Sequence, residues 1–102
     1  MKIQTEAVHF SADSQLLTFV EQKISKLEQF FNRISQAQVV LKMSRLGKKI
    51  EHIAEIKLHV PNGFIYIKES SKSFEAALNK AVVLLRLQLL RYKMKRFSYG
   101  LI

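Results

Sequence analysis

Apolar and polar residues alternate at the start of the chain, then recur at helical spacing. They alternate again through three successive stretches and return to helical spacing at the end. Residues 2–9 form the first alternating stretch, with Ile3, Thr5 and Ala7 on one face of a predicted strand. Ser11 offers an N-cap, and Leu16, Val20, Ile24, Leu27, Phe31 and Ile34 then fall on one narrow face at about 100° per residue. That spacing predicts a helix over about 12–34. Ala37, Val39, Leu41 and Met43 alternate with Gln38, Val40, Lys42 and Ser44, a second strand. Arg45 to Lys49 reads as a basic loop. In a third strand Ala54, Ile56, Leu58 and Val60 alternate with Ile53, Glu55, Lys57 and His59. Pro61-Asn62-Gly63 is a turn, because Asn-Gly tolerates the positive φ of a tight hairpin. Phe64 to Lys68 returns as a fourth strand, β-branched and aromatic.

Ser70, Ser71 and Ser73 are candidate caps for a last helix reaching about residue 95. Its buried stripe is Phe74, Leu78, Ala81, Val82, Leu85, Leu89 and Tyr92. The order β-α-β-β-β-α predicts an α+β fold: a four-stranded, mainly antiparallel sheet with two helices on one face. A single domain over 1–96 with a short tail over 97–102 is expected. The same last helix carries a second apolar row. Val83, Leu87, Leu90 and Met94 recur at i, i+4, i+7 and i+11 on the side away from the core. A helix apolar on two sides is covered on both. The candidate covers are the Phe97–Ile102 tail, the surface of a binding partner and a second copy of the chain. Six tail residues reach back only about two helical turns, too few to cover Val83. A homodimer through the last helix is therefore the expectation.

Composition narrows the class. Apolar residues make up 48% and charged residues 25% of 102 residues, which excludes a disordered chain and fits one soluble domain. No cysteine is present, so disulfides, thiolate zinc sites and cysteine nucleophiles are excluded. Met1 to Glu6 has no apolar run after its lysine, and no stretch is long enough to span a bilayer, so a cytoplasmic protein without a membrane partner is expected. Seventeen Lys and Arg against eight Asp and Glu give a formal charge of +9. That excess favours a polyanion, nucleic acid ahead of an anionic membrane.

Catalytic signatures are absent: the chain has no GxGxxG, P-loop, HExxH or GxSxG. His52 and His59 stand seven apart on one strand and so face opposite ways, which leaves them no shared metal. Glu55 reads as a solvated strand residue and Glu75 as a favourable partner for a helix N-terminus. The expectation is a non-enzymatic protein with no metal, no cofactor and no small-molecule substrate. The cations carry more. On the first helix Lys26 and Arg33 share one flank with Lys23 at its edge, opposite Glu21 and Glu28. On the last helix Lys80, Arg91 and Lys95 share one flank, and Arg86 and Lys93 another. Arg45, Lys48 and Lys49 add three more. Segregated charge of this kind suits phosphate contacts, which position without reading sequence.

The residues themselves resemble the ribosome hibernation promoting factor family, that of the ribosome-associated inhibitor Y and the sigma-factor modulation proteins. The stretch from Phe19 to Phe31 is similar to the family's Val-x-x-Lys-Leu-x-Lys-Leu-Glu pattern, and Val60-Pro61-Asn62-Gly63 to its hairpin. Ser73 to Asn79 and Leu85 to Lys93 resemble its last helix. The likeness spans roughly residues 1–96. It implies a fold related to double-stranded-RNA-binding domains. It also implies a stress-linked regulator of translation that occupies the decoding channel of the small ribosomal subunit, contacts its rRNA and excludes tRNA and mRNA. Lys23 and Lys26 match basic positions of the family's first helix, and Lys80, Arg91 and Lys93 fall where its last helix is basic. The departures are Glu75 for Tyr, Ser73 for Asp, and Leu84, Leu87 and Leu90 where Lys or Arg is common. A short form, without the domain through which long members pair ribosomes, is what the resemblance implies. Two other readings of the residues stand beside it: a general double-stranded-RNA-binding module, and a protein-interaction subunit working through its outer helix face.

Overall fold

The computed structural model describes residues 1–100, with side chains as far as Lys95. Six elements follow in order: β1 (Lys2–Ala7), α1 (Ser14–Phe30), β2 (Gln36–Leu46), β3 (Lys49–Val60), β4 (Gly63–Ser71) and α2 (Phe74–Gly100). The sheet has the order β1-β2-β3-β4. β1 runs parallel to β2, with Ile3 opposite Ala37, because α1 forms the crossover between them. β2, β3 and β4 are antiparallel neighbours joined by short turns.

One sheet face is buried. Ala37, Val39 and Leu41 from β2 and Ala54, Ile56 and Leu58 from β3 are at most 1% exposed. Against them pack Leu16, Val20, Ile24 and Leu27 from α1 and Leu78, Ala81, Leu85 and Leu89 from α2. Burial at about 1.5–3 kcal/mol for each large side chain is what holds both helices on this face. The period-two and 3.6-residue patterns both point here, as expected for a fold with two helices on one side of a mainly antiparallel sheet.

The boundaries differ from the sequence reading in instructive ways. α1 starts at Ser14, and its cap is Asp13 rather than Ser11: the Leu16 N–H donates to the Asp13 carboxylate at 2.8 Å. Between β1 and α1 the chain turns, with His9 at φ 63° and Phe10 stacked on Phe74 at 4.9 Å. α1 ends at Phe30, not near 34. Phe31 is its extended C-cap, and Phe31 and Ile34 reach the core from non-helical backbone. Of the three candidate serines, Ser73 caps α2, accepting from the Ala76 N–H at 3.1 Å. In the β3–β4 turn Asn62, not Gly63, takes the positive φ, at 68°. Proline at the preceding position and a left-handed second residue describe a type II turn.

Arg45 to Lys49 is not a loop. The β2–β3 ladder continues to Leu46 opposite Lys49, closed by a two-residue turn with Gly47 at φ 63°. β1 stops pairing at Leu41 and β4 at His52, so the rest of the hairpin projects as a two-stranded arm. Met43, Leu46 and Ile50 on it are exposed. The outer row of α2 is also exposed: Val83 58%, Leu87 51%, Leu90 44% and Met94 61%. The Phe97–Ile102 tail, one of the candidate covers, lies outside the described side chains.

Candidate nucleic-acid interface

The cations singled out from the sequence fall into three separate groups. The first lies where α1 and α2 pack side by side. A groove of about 670 Å³ between them is lined by Lys23, Lys26, Phe30, Asn79, Val83 and Arg86, with no carboxylate among its lining residues. Phe30, the last residue of α1, lies at one end of it. The Arg86 guanidinium lies 5.6 Å and the Lys93 ammonium 5.2 Å from the Phe30 ring centroid, both within cation–π range. Lys93 also donates to the Phe30 carbonyl at 3.3 Å. The last turn of α1 has no basic residue of its own, so Lys93 supplies from α2 the positive charge that the C-terminal dipole favours. At the other end of the groove Lys23 lies 5.4 Å from the Phe19 ring centroid. Arg33, read from the sequence as a helix residue on the Lys26 flank, is instead exposed in the loop after α1. Helical phase does not relate it to Lys26.

The second group is on the other flank of α2. Lys80 donates to the Ser70 carbonyl of β4 at 3.4 Å, so the side shared by Lys80, Arg91 and Lys95 faces the β4 edge rather than α1. The third is the arm, where Arg45, Lys48 and Lys49 are exposed around the turn. Helical phase correctly separates Arg86 and Lys93 from Lys80, Arg91 and Lys95. Which of the two flanks meets α1 is decided by packing.

A set of cations missed in the sequence lies on the open face of the sheet. Lys42 and Lys68 flank Glu55, at 3.4 and 4.0 Å, and the Tyr66 hydroxyl donates to it at 2.8 Å. Glu55 is thus a networked residue, not a freely solvated one. The Tyr66 hydrogen bond holds its carboxyl below the usual carboxylate range, with the lysines adding to that and burial opposing it. The same bond raises the Tyr66 phenol. Strand alternation alone could have found this face, since its residues are those left over by the buried one.

Among the described residues no group of three or more His, Cys, Asp or Glu could hold a metal ion. His59 faces outward beside Gln38 at 3.2 Å, while His52 meets the edge of Phe74 on the inner side, so the two do face opposite ways. Among the described residues no helix is long and apolar enough to cross a membrane.

Relatives fit this architecture. A ribosome hibernation promoting factor of Salmonella typhimurium is 40% identical over 80 residues, which is 78% of this chain and 80% of that one. The Protein Y N-terminal domain of Thermus thermophilus superposes with a TM-score of 0.78 at 27% identity, over 90% of this chain and 99% of that one. A ribosomal subunit interface protein of Coxiella burnetii shares the fold with a TM-score of 0.83 at 19% identity, over 92% of this chain and 99% of that one. The family described as Sigma 54 modulation protein / S30EA ribosomal protein matches residues 3–96, and the chain belongs to it.

Proposed function

We infer that this protein is a non-enzymatic, ribosome-associated regulator of translation, of the hibernation kind named in its relatives. It seats its α1–α2 groove on small-subunit rRNA in the decoding channel, where its bulk excludes tRNA and mRNA. The carrying observation is the acid-free groove lined by Lys23, Lys26, Phe30 and Arg86. Rigid helices hold these cations, which suits phosphate contacts that fix position without reading sequence. Arg33, Arg45, Lys48, Lys49, Lys80, Arg91, Lys93 and Lys95 are further candidates for phosphate contact around the periphery. Co-sedimentation with ribosomes tests the reading. A Lys23→Glu, Lys26→Glu, Arg86→Glu variant, whose changes all lie off the buried stripes, is expected to keep its fold and leave the ribosome fraction. Undiminished co-sedimentation at moderate salt overturns the reading.

A second surface has its own observation. The exposed row of Val83, Leu87, Leu90 and Met94 borders a depression of about 330 Å³ lined by Phe30, Val83, Arg86, Leu87 and Leu90. Our reading of it is a self-association surface between two α2 helices.

A further inference from the structure

The open face of the sheet is arranged in cross-strand rows. The first is Lys2, Gln36, His59 and Phe64, and the second is Gln4, Gln38, Lys57 and Tyr66. Two aromatic rings therefore stand side by side on β4, about 6.6–6.8 Å apart along the strand, with polar neighbours reaching across to β1. Phe64 is 58% and Tyr66 49% exposed, high for aromatic side chains on a sheet. The Lys57 ammonium lies over the Phe64 ring, 4.2 Å from its centroid. No carboxylate occurs in either row. Of the acids on this face, Glu6 and Glu55 stand one row further on and Glu51 lies out on the arm, and Glu55 is matched by Lys42 and Lys68.

We propose that this face binds single-stranded RNA, with two unstacked bases lying against Phe64 and Tyr66. Every base has a π-face, so aromatic rings bind single strands with little regard to sequence, and nearby cations take the phosphates. Lys57, Lys2 and Lys68 are placed for that role. Gln4, Gln36, Gln38 and His59 offer donors and acceptors to 2′-hydroxyls and to the Watson–Crick base edges that only a single strand exposes. The amides are already ordered: Gln36 donates to Gln4 at 2.8 Å, and His59 lies 3.2 Å from Gln38. A hollow of about 300 Å³ lined by Gln4, Gln38, Val40, Glu55, Lys57 and Tyr66 leaves room beside the Tyr66 ring. A duplex keeps its bases stacked on each other and cannot use the rings. The site lies across the sheet from the α1–α2 groove, and so stands whether or not that groove meets rRNA.

The test uses the full chain and three labelled probes read by fluorescence anisotropy: an eight-nucleotide oligoadenylate, an abasic oligomer of the same length and charge, and a duplex of the same length. The expected result is oligoadenylate binding about tenfold tighter than the abasic strand, in line with stacking on aromatic rings. Phe64→Ala with Tyr66→Ala should remove that difference while leaving the far-UV circular dichroism spectrum unchanged, since neither ring is part of the buried core. Tyr66→Phe, which keeps a ring and loses the Glu55 bond, should restore most of it. Lys26→Glu with Arg86→Glu should leave the ratio of oligoadenylate to abasic binding intact even where it abolishes ribosome co-sedimentation. Equal binding of the oligoadenylate and abasic strands overturns the proposal. So does an unaltered ratio in the double alanine variant, or a duplex affinity that falls in that variant as far as the single strand's.

Discussion

Asp13 fixes where α1 begins, and the choice between it and Ser11 is made by residues that neither cap touches. Both are good N-cap types two positions apart, so local propensity does not separate them. The left-handed His9 and the Phe10–Phe74 stack set the entry of the chain, and among the free N–H groups of the first turn it is that of Leu16 that the Asp13 carboxylate accepts. Asp13→Ala should therefore cost about 1 kcal/mol, the usual loss for an N-cap acceptor, whereas Ser11→Ala should change stability by only a few tenths. Urea unfolding of the two single variants checks this, and equal midpoints for both would show that the Asp13 bond carries no weight. The residue scale is also where sequence reading is weakest for charge. Lys93 reads as one more cation for phosphate. Its donation to the Phe30 carbonyl gives it a second task, closing α1, that only the approach of two helices creates. Glu55 likewise reads as solvated, because nothing in strand periodicity says that Tyr66 and two lysines converge on it.

At the scale of elements, existence and type were legible and ends were not. Strands with one buried face show a clean period of two, and both helices show their core stripe, so β-α-β-β-β-α can be read directly. The end of α1 misleads because Phe31 and Ile34 continue the spacing of Ile24 and Leu27 and are buried, yet are delivered by extended chain. No glycine or proline marks the stop. The arm misleads for the opposite reason: beyond Leu41 and His52 neither face of the hairpin is covered, so alternation fades although pairing continues. The outer row of α2 was legible from phase and is exposed. Leaving four large apolar groups in water forgoes about 1.5–3 kcal/mol each at full burial, which favours association. The flanking Arg86, Arg91 and Lys93 oppose it, because two α2 helices would bring like charges together. Self-association should therefore strengthen with added salt, which screens the flanks and leaves the apolar contact. Sedimentation velocity at low and high salt checks this, with Leu87→Lys, Leu90→Lys as the variant expected to stay monomeric. A wild type that remains monomeric at high salt and high concentration would rule out a dimer through this row.

At the scale of the molecule, the +9 charge is spread over a body 54 × 27 × 18 Å in extent. Its long axis exceeds the Debye length of about 8 Å at physiological ionic strength several times over. The arm cations and the groove cations therefore act on different phosphates. The arm leaves the sheet at the end where both helices begin, while Phe30 closes the far end of α1, so a single straight duplex laid along the helices would meet the groove and leave much of the arm in water. A channel that encloses the protein would meet both. Salt dependence separates these cases, because each neutralised phosphate contributes about 0.7–0.9 to the slope of log affinity against log salt. Replacing Lys23, Lys26 and Arg86 with Gln should lower the slope for ribosome binding by about 2–3, and replacing Arg45, Lys48 and Lys49 with Gln should lower it by a similar amount. The two losses should add when the six changes are combined, since the sites are far apart and share no partner. Titration of labelled protein with ribosomes across a salt series supplies the slopes. On isolated duplex RNA the arm variant should leave the slope nearly unchanged. If the arm variant also leaves the ribosomal slope unchanged, only one side of the protein meets RNA, and a general duplex-binding module becomes the better description.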